Sequence, residues 1–373
     1  MVDGHVDLPY KMQIRGFRLA KTYLDPSGAA PEGDFDYPRT QAGGLDAPFM
    51  SIFVPSDRQT RPGAAKALAD SLISMIEGLC AEHPDKFVLA HSPAAVEAAF
   101  AAGKVALPMG MENGAGIEDN LANLAHFHKR GIRYITLTHS KDNLICDSSY
   151  DTTHTWNGLS PFGAEVVREM NRLGIMVDIS HVSDSAFYDV LSLAKVPVIA
   201  SHSSCRAFTP GFERNMSDDM IRKMGENGGV IMINFGSTFV DSVSRQRFDE
   251  MDAALHAWAD EHEANEGDSA YEAYRTAYIA EHGSPYADVE RVADHIDHVV
   301  QLIGVDYVGF GSDFDGVGDS LPRDLKDVGD YPKLIAELLR RGYTEADLEK
   351  ICGGNLLRVW REVEAYAAAQ AAS

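Results

Sequence analysis

Apolar positions along the chain follow two different spacings. Short runs rich in Val, Ile, Leu and Met, with few charges, fall at 51–54, 104–109, 133–138, 176–180, 196–201, 229–234 and 307–311. Another opens the chain, at Met-Val-Asp-Gly-His. Such near-continuous hydrophobicity marks parallel strands covered on both faces. Between the runs, apolar residues recur at helical spacing. The stretch 64–82 places Leu68, Leu72, Ile73, Ile76 and Leu79 on one side. The stretches 163–173, 183–193 and 217–224 do the same, the last opening on Ser217 without a full capping box. Repeated strand–helix units with a closing strand near Tyr307 predict an α/β fold, a (β/α)8 TIM-like barrel. The whole chain, 1–373, reads as one domain. Within it, 243–287 is long, acidic and helical, an insertion or an elaborated crossover. The stretch 344–369 predicts extra C-terminal helices packed on the barrel's outside. An open doubly wound sheet would alternate in the same way, yet no G-x-G-x-x-G or G-x-x-x-x-G-K-[ST] follows a strand.

Composition changes this picture little. Hydrophobic residues at 45% and charged residues at 24% are ordinary for a soluble globular protein. No apolar run approaches the roughly 20 residues a membrane helix needs. Lys+Arg 33 against Asp+Glu 56 gives a net charge of -23, which repels phosphate backbones and argues against nucleic acid as a partner. Cys80, Cys146, Cys205 and Cys352 form no C-x-x-C pair, so a structural zinc knuckle is excluded. The opening strand leaves no room for a basic and apolar leader. The sequence therefore reads as cytoplasmic, or as exported with the leader absent.

The chemistry lies where histidines and acids meet the strand ends. His5 and Asp7 stand at the end of the first run, and Glu112 follows the one ending at Met109. His139, His181 and His202 close Ile-Thr-Leu-Thr-His, Val-Asp-Ile-Ser-His and Val-Ile-Ala-Ser-His, and Asp313 follows Val-Gly-Phe-Gly-Ser. A lone histidine at a strand end is commonly a hydrogen-bonded surface residue, and Glu112 alone would pass for a solvated loop carboxylate. In a parallel barrel, however, the C-terminal strand ends converge on one mouth, and seven such residues at one level are hard to explain as structure. His5 and Asp7 alternate onto one strand face, which suits shared ligation. Asp313 and Asp315, in Gly-Ser-Asp-Phe-Asp-Gly, lack the spacing of an EF-hand loop. Imidazoles with carboxylates and no thiolate suit Zn²⁺, with Mn²⁺ or Co²⁺ as substitutes. Three histidines and two carboxylates are too many for one tetrahedral ion. They fit two ions roughly 3.5–4 Å apart, with Glu112 as the natural bridge because a carboxylate has two oxygens to divide.

These motifs are similar to those of the membrane (renal-type) dipeptidases, a branch of the metal-dependent amidohydrolase barrels. The matching stretches begin at Asp3 (Asp-Gly-His-Val-Asp-Leu-Pro-Tyr), Gly110 (Gly-Met-Glu-Asn-Gly), Tyr134 (Tyr-Ile-Thr-Leu-Thr-His-Ser), Asn157 (Asn-Gly-Leu-Ser-Pro-Phe-Gly) and Asp178 (Asp-Ile-Ser-His). Others begin at Ser201 (Ser-His-Ser-Ser), Arg214 (Arg-Asn) and Gly311 (Gly-Ser-Asp-Phe-Asp-Gly). The resemblance implies hydrolysis of dipeptides to free amino acids by a hydroxide bridging two zinc ions. It assigns His5 and Asp7 to one zinc, His181 and His202 to the other, and Glu112 to both. It gives His139 a contact with the substrate carbonyl, Arg214 the substrate's terminal carboxylate, Asn157 a place in substrate binding, and Asp313 the proton passed to the leaving amine. Homodimers are common in that family, so a second copy of the chain is an implied partner.

The sequence departs from the family at several points. Val6 replaces the usual Asn between the first two ligands, and 43–49 differ from the family's Gly-Gly-Gln-Phe-like segment, leaving side-chain preference open. Lys141 stands where some relatives carry a bridged cysteine, so a Cys80–Cys146 disulfide is one of two alternatives. Another hydrolase of the same superfamily, acting on amides, lactones or phosphotriesters or as a deaminase, would more commonly show H-x-H and a carbamylated lysine. A non-catalytic barrel would normally have lost one or more of the five ligands.

Overall fold

The computed structural model describes residues 1–18 and 25–372. Among the described residues ten strands form: β1 (Val2–Val6), β2 (Ala47–Phe53), β3 (Phe87–Leu89), β4 (Val105–Leu107), β5 (Met109–Glu112), β6 (Ile132–Thr136), β7 (Met176–Asp178), β8 (Ile199–Ala200), β9 (Val230–Ile233) and β10 (Val308–Phe310). Eight of them close a parallel barrel in the order β1-β10-β9-β8-β7-β6-β5-β2. Its seam joins β1 to β10 at Asp3 and Phe310. Register places Glu112 beside Phe53 on one side and Thr136 on the other.

The run at 104–109, expected as one strand, is two. Pro108 has no N–H to give a ladder; it ends β4, which pairs with the unforeseen β3 in a separate two-stranded sheet, and the barrel resumes with β5. Glu112 is consequently the last residue of a barrel strand and does not sit in the turn beyond one. The helices form largely as the pattern predicts. Ser160, Ser183 and Ser217 cap the helices Pro161–Leu173, Asp184–Leu193 and Asp218–Asn227, each side chain accepting from the amide three residues on. The acidic stretch is two helices, Ser242–His262 and Ser269–His282, with a small core of their own around Phe248, Met251 and Leu255.

The C-terminal helix Asn355–Ala371 packs on the outer helix Pro161–Leu173, as expected, and also against the strands. Its buried face (Leu356, Val359, Trp360 and Val363) packs with Phe49, Tyr134, Met176, Ile199, Val230 and Met232 from the strands. It forms a floor beneath the barrel, with the Trp360 ring 5.2 Å from that of Phe49. Gly110 matters above it: a Cβ there would enter the Tyr134 ring, which passes beside β5 toward β1. All four cysteines are free thiols, so Cys80 and Cys146 are not bridged. Among the described residues no helix is long and apolar enough to cross a membrane.

One buried histidine ties the outer layer together. His295 accepts from the Cys205 amide at 2.9 Å and donates to the Val240 carbonyl at 2.8 Å. Burial pushes its imidazole down to about 3. An unfolded chain takes up this proton below about pH 6.5, whereas the folded one resists until near pH 3. The stabilisation is therefore complete above pH 6.5 and is lost as pH falls through that window, at about 1.4 kcal/mol per unit. Denaturant titrations at pH 6.5 and 5 should show a shallower loss in His295→Gln than in the parent. Equal slopes would rule this origin out.

Candidate metal centre

Seven polar side chains from six barrel strands, or from the residues just after them, meet at one end of the barrel. The sites of attachment are β1 for His5 and Asp7, β5 for Glu112, and the segments after β6, β7, β8 and β10 for His139, His181, His202 and Asp313. Glu112 stands at the middle with its two oxygens facing different neighbours. Its Oε1 lies 3.1 Å from His181 Nε2, 3.3 Å from His202 Nε2 and 3.6 Å from His139 Nε2. Its Oε2 lies 3.4 Å from His5 Nε2, which is also 3.4 Å from Asp7 Oδ2. Three ligand-like groups result: His5, Glu112 and His202; Glu112, His139 and His181; and His5, Asp7 and Asp313.

Hydrogen bonds behind His5 and His202 fix which nitrogen of these two rings faces inward. Tyr134 gives its hydroxyl proton to the Gly4 carbonyl at 3.0 Å, so His5 Nδ1, 2.8 Å from the same oxygen, must be the donor to it. The Ser201 hydroxyl donates to Asp178 Oδ2 at 2.6 Å, so His202 Nδ1 donates to Ser201 at 2.7 Å. Each ring then turns Nε2 toward Glu112, the arrangement metal-binding histidines take from their outer partners. His5 Nε2, Asp7 Oδ1, His139 Nδ1 and His181 Nδ1 are buried without a hydrogen-bond partner among the described residues. Buried polar atoms are rarely left so, and the donor set, nitrogen and carboxylate oxygen without thiolate, suits zinc.

Electrostatics point the same way. Burial opposes charge on His5, but Tyr134, Asp7 and Glu112 raise it well above its ordinary value, so the neighbourhood favours positive charge at this point. Burial and the nearby Arg214 keep His181 well below its ordinary value, and burial with His5 and Arg214 does the same for His202. Both are neutral, as ligands must be. Glu112, despite burial, is held well below the carboxylate range by the neighbouring His5 and His139 and by the close approach of the His181 and His202 rings. Asp313 is raised well above it, by burial and then by Asp7, and accepts from Asn234 Nδ2 at 2.7 Å. His181 and Asp313 hold left-handed backbone, φ +70 and +63, a strain that clusters at functional sites. Gly316 leaves the space: a Cβ there would collide with both Asp7 and Asp313.

Arg214 is buried beside this cluster. Its Nη1 donates to Ser203 Oγ and its Nη2 to the His202 carbonyl, both at 2.8 Å, and Nε has no partner among the described residues. Asn157 is not brought to the site. It is exposed in a turn with φ +52, whose flanking amides, Trp156 and Gly158, hold the buried Asp147. The motif at Asn157 therefore serves a turn, where a left-handed residue is needed. Tyr134, Asp178, Ser201 and Asn234 were passed over as individual residues. Asp178, a charge inside an apolar run, was the one legible sign that a buried network existed. Over the cluster lies a cavity of about 860 Å³ lined by Asp7, Glu112, His139, His181 and Asp313 at its base and by Ser242–His262 and Ser269–His282 at its side.

A closed parallel barrel with imidazoles and carboxylates gathered at its strand ends defines the metal-dependent hydrolase barrels. The sequence matches the family model of the membrane dipeptidases (peptidase family M19) over residues 1–373. It is 34% identical to dipeptidase tcpJ of Claviceps purpurea (strain 20.1), over 99% of this chain and 78% of that protein. The fold superposes on the probable dipeptidase PvdM of Pseudomonas aeruginosa with a TM-score of 0.80 at 26% identity, covering 98% of this chain and 96% of that one. It also superposes on a Rhodobacter sphaeroides metallo peptidase liganded with a phosphinate mimic of L-Ala-D-Ala, with a TM-score of 0.77 at 25% identity, covering 97% and 98%. The chain belongs to the membrane dipeptidase family and is a metallo-dipeptidase.

Proposed function

We propose that the chain hydrolyses dipeptides to free amino acids with two zinc ions, His5 and Asp7 holding one, His181 and His202 the other, and Glu112 both. The observation that carries this is the division of Glu112, one oxygen toward His5 and the other toward His181 and His202. Zinc held by these residues would supply Lewis acidity, making a bound water acidic enough to attack near neutral pH and polarising the scissile carbonyl. Arg214, fixed by Ser203 and the His202 carbonyl, pairs with the substrate's terminal carboxylate. His139 is held below its ordinary value by burial, with Glu112 opposing and Arg214 assisting; as a neutral ring it donates a hydrogen bond to the carbonyl oxygen, where negative charge gathers. Asp313 takes the proton released in the attack and hands it to the departing amine, a transfer its raised affinity for protons favours.

Metal analysis and a substrate series test this together. The protein purified without chelator should hold about two zinc ions and cleave free-acid dipeptides, while amidated ones react at least tenfold more slowly. Two bound zincs with equal rates on both series would remove Arg214 from its role, and a chain that takes up no zinc would end the proposal.

A further inference from the structure

The side wall of the cavity, formed by the paired helices Ser242–His262 and Ser269–His282, carries two kinds of surface. Phe248, Met251, Leu255 and Tyr271 supply an apolar strip. Around it the cavity takes carboxylates from Asp249, Asp252, Glu266, Glu272, Asp315 and Asp319, and one guanidinium, that of Arg275. Arg275 is already engaged: it forms an ion pair with Asp319, lies 3.6 Å from Glu272 and donates to the Tyr286 hydroxyl at 2.7 Å. The carboxylates of Asp249, Asp252 and Glu266 have no ion pair or hydrogen bond among the described residues. They stand close enough to act on one another. Burial lifts the Asp252 carboxyl above its usual range, and Asp249 and Glu266 add to this against His256 and Arg275.

A separate observation lies deeper in the same cavity. Asp315 is 8% exposed; its Oδ1 accepts from the Asp34 amide at 2.8 Å and lies 3.7 Å from Lys11 Nζ. Its Oδ2 is buried with no hydrogen-bond partner among the described residues. Asp315 therefore adds a further carboxylate to the cavity's wall, with Lys11 as its cationic neighbour.

An apolar strip bordered by more carboxylates than cations complements a side chain with an aliphatic stem and a positive head. We infer that the cavity selects dipeptides carrying a lysine or arginine side chain, with the stem along Phe248, Met251 and Leu255 and the head among Asp249, Asp252 and Glu266. The inference rests on the dipeptidase reading above and adds to it the class of side chain.

The test compares kcat/KM of the zinc-loaded protein on Lys-Ala and Ala-Lys with Met-Ala and Ala-Met, of similar length without charge, and with Glu-Ala and Ala-Glu. The better lysine dipeptide should exceed its methionine counterpart by about tenfold at low salt and approach it near 1 M salt. The glutamate dipeptides should be the slowest. In the triple variant Asp249→Asn, Asp252→Asn, Glu266→Gln the lysine-to-methionine ratio should fall close to one; the ratio cancels any loss of folding or zinc shared by both substrates. No excess of lysine over methionine in either position, or an excess that survives the triple substitution, overturns the inference. A zinc-holding chain that cleaves none of the six dipeptides overturns instead the reading beneath it.

Discussion

Replacing Glu112 with glutamine should release both metal ions and lower kcat/KM by about 10⁴-fold or more. The substitution keeps the size of the side chain but removes the charge and one of the two oxygens that divide between His5 on one side and His181 and His202 on the other. An amide cannot present two equivalent acceptors, so each half of the cluster loses its shared anion. The carboxylate is buried and ringed by imidazoles that hold it ionised, which makes its charge hard to replace from solvent. Zinc content per chain, measured beside the dipeptidase rate, reads the outcome. Glu112→Gln protein that keeps two zincs and works within tenfold of the parent would show that Glu112 does not join the halves.

Asp313→Asn should leave the metal content as it is and cost about 10³-fold in kcat, the middle of the range for a lost proton-transfer group. The geometry supports this separation. Asp313 lies against Asp7 and His5 but is steadied from outside by Asn234 and by its own left-handed backbone, which asparagine tolerates. What disappears is the exchangeable proton. A variant with two zincs and a kcat within tenfold of the parent would sink this assignment.

The seven mouth residues were legible because each interrupts or ends an apolar run, and parallel strands send their ends to one place. The tautomer-fixing partners were not. Tyr134 and Ser201 look like ordinary strand residues, and their work depends on which ring lies across the barrel. Pro108 carried a readable warning that 104–109 could not be one strand, since a residue without an N–H suits a break between ladders. The helix Asn355–Ala371 shows the limit of periodicity. Its apolar face is plain in the sequence, but nothing in 3.6-residue spacing distinguishes the flank of a barrel from its underside. Asn157 shows the limit of motif matching, because a residue can be preserved in a pattern for its backbone angles alone.

The seam between β1 and β10 has a consequence for how metal is acquired. Asp3 takes a hydrogen bond from the amide of Ser312, 309 residues on, and from the hydroxyl of Tyr331, 328 residues on. His5 and Asp7 are therefore poised only when opposite extremes of the chain have already found each other, a distant and slow kind of encounter. A metal ion held there would therefore not be expected to nucleate folding as zinc does in a finger peptide. Its uptake instead marks a molecule whose folding is finished.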